Sequence, residues 1–233
     1  MTAFVPLLVY AGAGLVATVV AGYFVRQNLR LSMAVMVWLG GAVTVDRIGI
    51  FPGDGVWQEG DVLRMLAFGT GMGLPVALYF IAKARSERFA ATMDAVPPHL
   101  LTATQVYRLV GATFFVAYLS GSMPAEVALP AAVLDTFIGL TAIPLAVLLL
   151  RRPAPRITAL WNGIGLFDFG WAFMAVSASM FGFWQITPAP SALGQSPFVL
   201  ISLFQVPLAV IVHIEMLRRL GKGSVRTSCR AQG

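Results

Sequence analysis

Charged residues are scarce in this sequence. Asp, Glu, Lys and Arg make up 11% of its 233 residues, whereas 58% are hydrophobic and the mean hydropathy is +0.81. A water-soluble domain carries about 25% charged residues, because its surface has to be hydrated. The composition therefore excludes a soluble globular domain and indicates a protein whose exterior faces lipid.

Cysteine is also scarce, and several catalytic motifs are missing. The lone Cys229 excludes an internal disulfide and metal sites built on paired cysteines. Neither HExxH nor GxSxG occurs, so the sequence carries no zinc-hydrolase or serine-hydrolase signature. The net charge of +6 does not indicate nucleic-acid binding, because the basic residues lie in short segments between apolar runs.

Seven apolar runs have about the length that a helix needs to cross a hydrocarbon core, which is roughly 20 residues. We predict an all-α, polytopic membrane protein with seven transmembrane helices in one bundle over residues 1–220, followed by a basic, disordered cytoplasmic tail at 221–233. The first run precedes Arg26 and Arg30 and follows no basic residue, the reverse of a cleaved signal peptide, so we expect it to be a span. The predicted spans are 4–24, 31–50, 62–83, 99–121, 129–150, 158–185 and 197–219.

The segment 84–98 is too polar to cross the membrane. Its charges, interleaved with Phe89 and Met93, predict a short helix that lies in the cytoplasmic interface. An ordinary loop that ends at Pro97 and Pro98 is the alternative.

Basic residues lie in alternate connections between the predicted spans. The positive-inside rule places such connections in the cytoplasm, so we predict that the N-terminus is outside and the C-terminus is cytoplasmic. The intervening connections hold acids or no charge, with Asp54, Glu59 and Asp61 in one of them. Arginine greatly outnumbers lysine, a bias typical of GC-rich coding, and we expect the membrane to be a bacterial inner membrane. The basic residues of these connections and of the tail are Arg26, Arg30, Lys83, Arg85, Arg88, Arg151, Arg152, Arg156, Arg218, Arg219, Lys222, Arg226 and Arg230.

Seven helices with an outside N-terminus resemble the topology of rhodopsins and of the seven-helix sugar transporters. A retinal protein needs a lysine in the middle of its last helix, whereas Lys83 and Lys222 lie at span ends, which excludes a retinal pigment. The resemblance to the sugar transporters rests on topology alone, because their paired Pro-Gln signature is missing. Neither resemblance supplies an activity for this chain.

Two charged residues, Arg108 and Asp168, are predicted to lie deep in the bilayer. At 1.5 Å per residue they are about 10 and 12 Å from the cytoplasmic ends of their helices. An ionised side chain at the bilayer centre costs about 2.5–3.5 kcal/mol or more, so deep charges should face the bundle interior and pair. We therefore predict an Arg108–Asp168 ion pair, the alternative being that the Arg108 side chain extends to the cytoplasmic surface. The predicted sixth span, which carries Asp168, also contains small residues that should let a neighbouring backbone approach closely. They are Gly163, Gly165 and Gly170.

The polar residues within the spans are predicted to form two levels. Asp135 has no cation at its predicted depth in the outer level. Asp46 is expected close to the outer surface, near Arg64. The inner level comprises Gln105, Arg108, Asn162, Asp168 and His213, and the outer level comprises Asp46, Asp135, Ser202 and Gln205.

Breaks in the helices are predicted at three prolines. Pro75, Pro144 and Pro207 each remove a backbone hydrogen bond and tend to kink a helix. Gly69 and Gly73 precede the first of these and form a small-residue contact motif. Interrupted helices are common where transporters bind their substrates.

A protonatable acid, a histidine and an ion pair within a membrane are components of proton relays. The leading prediction is therefore a proton-linked small-molecule transporter, in which Arg108 and Asp168 form a gate or anchor. In this prediction Asp135 and His213 titrate, and Gln205 contacts the substrate. The same residues also stabilise bundles by interhelical hydrogen bonds, so the alternative is an accessory or assembly subunit of a membrane complex, without turnover. The expected partners are the lipid bilayer, a small molecule or proton, and a second subunit.

No cofactor is predicted. Haem ligation by His99 and His213 is an alternative that rests on two histidines near the cytoplasmic face, without a spacing motif. The sequence favours a transporter over an enzyme. Asp135 and Asp168 are candidates for a paired-acid intramembrane enzyme, but their predicted depths differ by several ångströms.

Overall fold

The computed structural model describes residues 4–49 and 62–223. Over these ranges the chain is helical and contains no β-strand, and seven helical stretches are long and apolar enough to cross a membrane. The prediction of an all-α chain with seven helices of spanning length is confirmed. The stretches are Phe4–Phe24, Leu29–Ile48, Leu66–Arg85, Pro98–Leu119, Ala125–Arg151, Pro155–Met180 and Phe198–Gly221.

Several predicted features lie outside the described residues. They are the loop acids Asp54, Glu59 and Asp61, the side chain of Arg64, and residues 224–233 of the basic tail, including Cys229.

The fourth and seventh spans are each built from several helical segments. A 3₁₀ segment, Gln105–Gly111, joins two α-helices of the fourth span, and a π-helical turn, Ile201–Gln205, joins two of the seventh. A second 3₁₀ segment is Pro190–Gly194. The helices are α1 (Phe4–Phe24), α2 (Leu29–Ile48), α3 (Val62–Arg85), α4 (Glu87–Asp94), α5 (Pro98–Thr104), α6 (Ala112–Leu119), α7 (Ala125–Arg151), α8 (Pro155–Met180), α9 (Phe198–Leu200) and α10 (Val206–Gly221).

Local sequence explains where several helices begin and end. The Asn28 side chain accepts from the backbone N–H of Leu31 at 3.3 Å and caps α2, which ends at Gly49 in the left-handed region (φ 66°). The Ser86 hydroxyl accepts from the N–H of Phe89 at 3.2 Å and caps α4. A short helix therefore forms within the segment 84–98, as the first of its two alternatives predicts.

The seventh span lies at the centre of the bundle. In its most apolar stretch 83% of the residues are buried, whereas the corresponding shares are 11% in α3 and 17% in α8. The last helix, α10, contacts α3, α5 and α8, and α7 packs along the 3₁₀ segment of the fourth span. The peripheral helices carry large apolar side chains on their outer faces, such as Ile81, Leu140 and Ile157, which suits a surface in contact with hydrocarbon.

A tryptophan replaces a helical hydrogen bond that a proline removes. Pro130 lies inside α7 and has no N–H, so the carbonyl of Glu126, four residues earlier, lacks its usual helical donor. Nε1 of Trp171 on α8 donates to this carbonyl at 2.8 Å. The bond therefore fills a gap in α7 and ties α8 to it.

Candidate functional site

The guanidinium of Arg108 is the centre of a buried polar network. Arg108 is 3% exposed and lies in the 3₁₀ segment of the fourth span. Its Nε donates to Oδ1 of Asp135, its Nη2 donates to Oδ2 of Asp168 at 2.5 Å, and the ring of Phe169 lies 4.3 Å from its Cζ. The predicted Arg108–Asp168 ion pair is confirmed, and the alternative of an Arg108 side chain that extends to the surface is wrong.

The prediction that Asp135 has no cation at its depth is wrong. Helix α7 begins at Ala125, four residues before the predicted start, which places Asp135 about 6 Å farther along the helix. Gly111 permits the close approach, because a Cβ at this position would lie 2.1 Å from Cβ of Asp135. One arginine therefore binds two acids from different helices, and the predicted inner and outer levels meet.

Hydrogen bonds assign the tautomer of His213. Arginine only donates, so Nε2 of His213 accepts from Nη1 of Arg108 at 2.8 Å. The Asn162 amide nitrogen donates to the carbonyl of Thr158 at 2.7 Å, which leaves Oδ1 of Asn162 to accept from Nδ1 of His213 at 2.8 Å. In this arrangement His213 is a neutral ring with its proton on Nδ1, and its Nε2 orients the arginine. The predicted titration of His213 with Asp135 stays a prediction.

The charges of this network do not balance. Asp135 and Asp168 carry two negative charges when ionised, Arg108 carries one positive charge, and His213 is neutral in its hydrogen-bonded form. The second oxygen of Asp168, Oδ1, is buried and has no hydrogen-bond partner among the described residues. One negative charge and one acceptor atom are therefore left over.

A cavity of about 490 Å³ adjoins the two acids. Asp135 and Asp168 are the two charged residues of its wall, as far as the structure describes it, and the hydroxyls of Thr70, Ser177 and Ser202 are the other polar side-chain groups. The rest of the wall is apolar and includes the aromatic rings Phe68, Phe114, Phe169, Phe173 and Phe181. Its volume lies within the range of about 300–1,000 Å³ that is typical of small-ligand sites.

Irregular backbone lies on two sides of the network. The 3₁₀ segment that carries Arg108 contains no proline, and nothing in its sequence predicts it. The π-helical turn lies directly before Pro207, where a break is predicted, and Ile201 and Ser202 of this turn line the cavity. Helices α3 and α7 continue through Pro75 and Pro144. Short 3₁₀ and π insertions within helices often mark functional sites.

Two carbonyls of the π-helical turn are bound by side chains from other elements. The carbonyl of Leu203, four residues before Pro207, accepts from Nε1 of Trp38 at 2.9 Å. The carbonyl of Gln205 accepts from the Tyr107 hydroxyl at 2.6 Å. The irregular turn is thus held by hydrogen bonds from α2 and from the 3₁₀ segment.

Three residues of the two predicted polar levels do not join the network. The Gln105 side chain is fully buried, and neither of its polar atoms has a hydrogen-bond partner in the described chain. The amide nitrogen of Gln205 donates to the carbonyl of Val9 at 3.2 Å, so this side chain joins helices and does not line the cavity. Ser202 lines the cavity but donates to the carbonyl of Phe198 at 3.3 Å.

The predicted helix contact at Gly69 and Gly73 is wrong. No atom lies within 4 Å of a Cβ built at either glycine, so they line the cavity instead of a helix contact. Asp46 is 4% exposed and lies near the C-terminal end of α2, and its predicted place close to the outer surface stays a prediction. It accepts from the Tyr10 hydroxyl and from the Ser196 hydroxyl, the latter at 3.1 Å.

Sequence reasoning missed a second buried charge cluster. Nζ of Lys83 donates to Glu215 and to Asp94, both at 2.5 Å, and Nε of Arg219 donates to Glu215 at 3.1 Å. Lys83 and Arg219 appear in the sequence as basic residues of cytoplasmic connections. The feature of the sequence that could have revealed this cluster is the spacing of Glu215 and Arg219, which are four residues apart and therefore lie on one helix face.

The charges of this second cluster balance. Partial burial raises the pKa of the Asp94 carboxyl, but the hydrogen bond from Lys83 and nearby positive charges outweigh burial and hold the pKa below its ordinary value. Arg219 also donates to the carbonyls of Met93 and Val96, both at 2.5 Å. The cluster fastens α4 and the residues after it to α10 and leaves no charge for a ligand.

A larger cavity, of about 1,020 Å³, lies between α1, α2, α3 and α10. Glu215 is the single charged residue of its described wall, and this carboxylate is already bound by Lys83 and Arg219. The cavity therefore offers space but no uncompensated polar group.

Neither ring nitrogen of His213 is free to bind haem iron. Both ring nitrogens are hydrogen-bonded, to Arg108 and Asn162, so ligation would break the network. Within residues 4–49 and 62–223, no group of three or more His, Cys, Asp or Glu side chains lies close enough to hold a metal ion. Asp135 and Asp168 bind the same guanidinium, so the predicted difference in their depths is wrong. Arg108 lies between the two carboxylates, whereas in a paired-acid enzyme the two carboxyl groups share a proton directly.

No curated protein and no solved structure matches this chain. A family model described as Domain of unknown function (DUF8737) matches residues 65–221, more than half of the chain. The match includes Arg108 and every side chain that contacts its guanidinium. The chain therefore belongs to the family Domain of unknown function (DUF8737).

Proposed function

We propose that the protein is a proton-linked transporter of a small molecule. The observation that carries the proposal is one buried arginine shared by two carboxylates, both of which line a cavity of about 490 Å³. A purely structural ion pair needs one acid for one arginine. The additional acid and the adjoining space support a site that binds and releases a ligand.

The excess acid explains the link to protons. A net charge in a low-dielectric interior is costly, so the group of Asp135, Asp168 and Arg108 favours binding one proton or one positive charge. Protonation of either acid weakens its bond to the arginine. Arg108 then binds the other acid more strongly, and this shift couples proton occupancy to the shape of the cavity.

The irregular segments supply a place for such a shift. The 3₁₀ segment carries Arg108, and the π-helical turn lines the cavity. Interrupted helices are the elements on which transporters build their midplane sites. In this proposal the two segments change conformation when the proton or the substrate leaves.

We further propose that the protein lies in a bacterial inner membrane with its N-terminus outside and its C-terminus in the cytoplasm. The basic residues of alternate connections support this orientation through the positive-inside rule. Lys83 and Arg219 are buried in ion pairs, but Arg26, Arg85 and Arg151 keep the same asymmetry.

The transport proposal is tested in liposomes with the Asp135→Asn variant. Liposomes are incubated under an imposed pH gradient with a defined mixture of amines, amino acids, organic acids and sugars, and the internal contents are measured by mass spectrometry. We expect wild type to accumulate at least one compound in a gradient-dependent way. The variant should fall to the level of empty liposomes, because the second acid no longer carries a proton.

Glu126→Gln is the matched control, because Glu126 is an acid on the same helix that does not line the cavity. This variant should transport as wild type does. If wild type accumulates no compound, the transport proposal is rejected.

An accessory subunit is the second candidate function. Helices α3 and α8 bury only 11% and 17% of their most apolar stretches, so the outer faces of these two helices are available to a membrane partner. In that case Asp135→Asn changes melting temperature and complex recovery, and no compound is moved by either protein.

A further inference from the structure

We propose that the cavity beside Asp135 and Asp168 binds a monovalent organic cation with apolar, aromatic substituents, and that this cation replaces one proton. The inference rests on the proposed function for the purpose of the site, and it names the substrate class. It depends on three independent features of the site: its charge, an unpartnered acceptor and the chemistry of its wall.

The charge favours a cation over an anion or a neutral ligand. The charged and titratable groups that face the two acids are Arg108, His213 and Tyr107. Arg108 offers a single positive charge, His213 is held neutral by its two hydrogen bonds, and the Tyr107 hydroxyl is bound to a backbone carbonyl. A ligand with one positive charge therefore brings the whole group to neutrality.

The unpartnered acceptor is Oδ1 of Asp168. The Asp168 side chain is 3% exposed and belongs to the cavity wall, and its Oδ2 is bound to Arg108. A buried acceptor without a donor is costly. A proton at Oδ1 removes this cost, and a cation in the adjoining cavity lowers it by electrostatic attraction.

The wall selects apolar substituents on the cation. Five phenylalanine rings line the cavity, and aromatic faces attract cations at distances of up to about 6 Å from the ring centre. Arg108 already lies over one of these rings, that of Phe169. Three hydroxyls are too few for a sugar, whose many polar groups would lose water without replacement.

The exchange is balanced in charge. When the cation enters, the proton held by the carboxyl pair leaves to solvent, and when the cation leaves, a proton returns. The group remains neutral in both states, and no oxidant or covalent step is needed.

Binding of benzyltrimethylammonium to the purified full-length protein in detergent tests the inference. Titration calorimetry in two buffers of different ionisation enthalpy counts the protons released. We expect about one proton per cation and, where the carboxyl pair is protonated before binding, an affinity that rises about tenfold per pH unit. Phenylmethanesulfonate, with the same benzyl group and a negative head, should not bind.

Variants assign the binding to the two acids. Asp168→Asn should abolish the proton release and lower affinity at least about tenfold, because its amide carries neither the proton nor the negative charge that pairs with the cation. Glu126→Gln should bind as wild type. If a variant fails to fold, the wild-type proton count and the comparison of the two benzyl compounds still decide the question.

Several results overturn the inference: no binding of benzyltrimethylammonium, binding without proton release, or equal binding of phenylmethanesulfonate. The outcome is separable from that of the transport assay. Cation binding with proton release but no uptake would reject transport and keep the site. Gradient-dependent uptake of anions or sugars without cation binding would keep transport and reject the substrate class.

Discussion

Gly165 is the residue whose small size the arginine network most requires. A Cβ at this position would lie 2.4 Å from two atoms of the His213 ring and 3.0 Å from Nη1 of Arg108. Gly163, two residues earlier on α8, has no atom within 4 Å of the corresponding point. Both glycines look equivalent in the sequence, because the difference depends on which side of α8 faces α10.

The Gly165→Ala variant should lose about 1–3 kcal/mol of unfolding free energy, because its methyl group displaces the histidine ring. Gly163→Ala is the control and should be neutral or slightly stabilising, since alanine is the better helix former. Thermal unfolding in detergent measures both. Equal stability of the two variants would mean that the histidine is free to move.

Pairing of deep charges could be predicted from the sequence only where the two residues lie at similar distances from helix starts that are predicted on the same side. Arg108 and Asp168 lie at similar distances from their helix starts, so their bond is predictable from rise per residue alone. Asp135 was predicted without a partner because the start of α7 was placed four residues late. Tyr10 and Asp46 meet between α1 and α2, a contact that no spacing within one helix reveals.

Among the elements, α7 and α8 depend on each other through the bond between Trp171 and the Glu126 carbonyl. The spans themselves are predictable, because a long apolar run is a local property of the chain. The 3₁₀ segment and the π-helical turn are not, because hydrogen bonds from Trp38 and Tyr107 on other elements support the irregular backbone.

Trp171→Phe should destabilise the protein by about 1 kcal/mol, because it leaves the Glu126 carbonyl without a donor. Pro130→Ala restores a backbone N–H that can reach the same carbonyl. In the Pro130→Ala background the tryptophan substitution should therefore cost much less. A double-mutant cycle of unfolding free energies measures this coupling, and additive effects would show that the two donors do not substitute for each other.

Across the whole molecule, two charged clusters lie at separate positions and differ in their balance. The cluster of Lys83, Glu215, Arg219 and Asp94 is neutral and joins α3, α4 and α10. The cluster around Arg108 has one acid in excess. This contrast separates an ion-pair group that holds the bundle from one that can bind a ligand.

Glu215→Gln should lower the unfolding free energy by about 3 kcal/mol, because two buried cations lose their shared carboxylate. Binding of benzyltrimethylammonium should remain, since this residue is not in the wall of the smaller cavity. Denaturant unfolding in detergent micelles provides the measurement. A loss of cation binding in a folded variant would contradict the separation of the clusters.

Asp94→Asn is the milder companion variant and should cost at most about 1 kcal/mol, because its side chain is 52% exposed. The folded-state pKa of Asp94 lies below its ordinary value of 3.8, so its stabilisation is present above that pH. It is lost as pH falls through the lower folded-state pKa. The stability of the variant and of wild type should therefore converge in strong acid.

The seven residues of the 3₁₀ segment have a geometric consequence for α6. A 3₁₀ helix rises about 2.0 Å and turns about 120° per residue, whereas an α-helix rises 1.5 Å and turns 100°. Rewinding Gln105–Gly111 into α-helix would shorten the fourth span by about 3.5 Å and rotate α6 by about 140° about its own axis. A change confined to a few backbone dihedrals beside Arg108 would thus present a different side of α6 to α7.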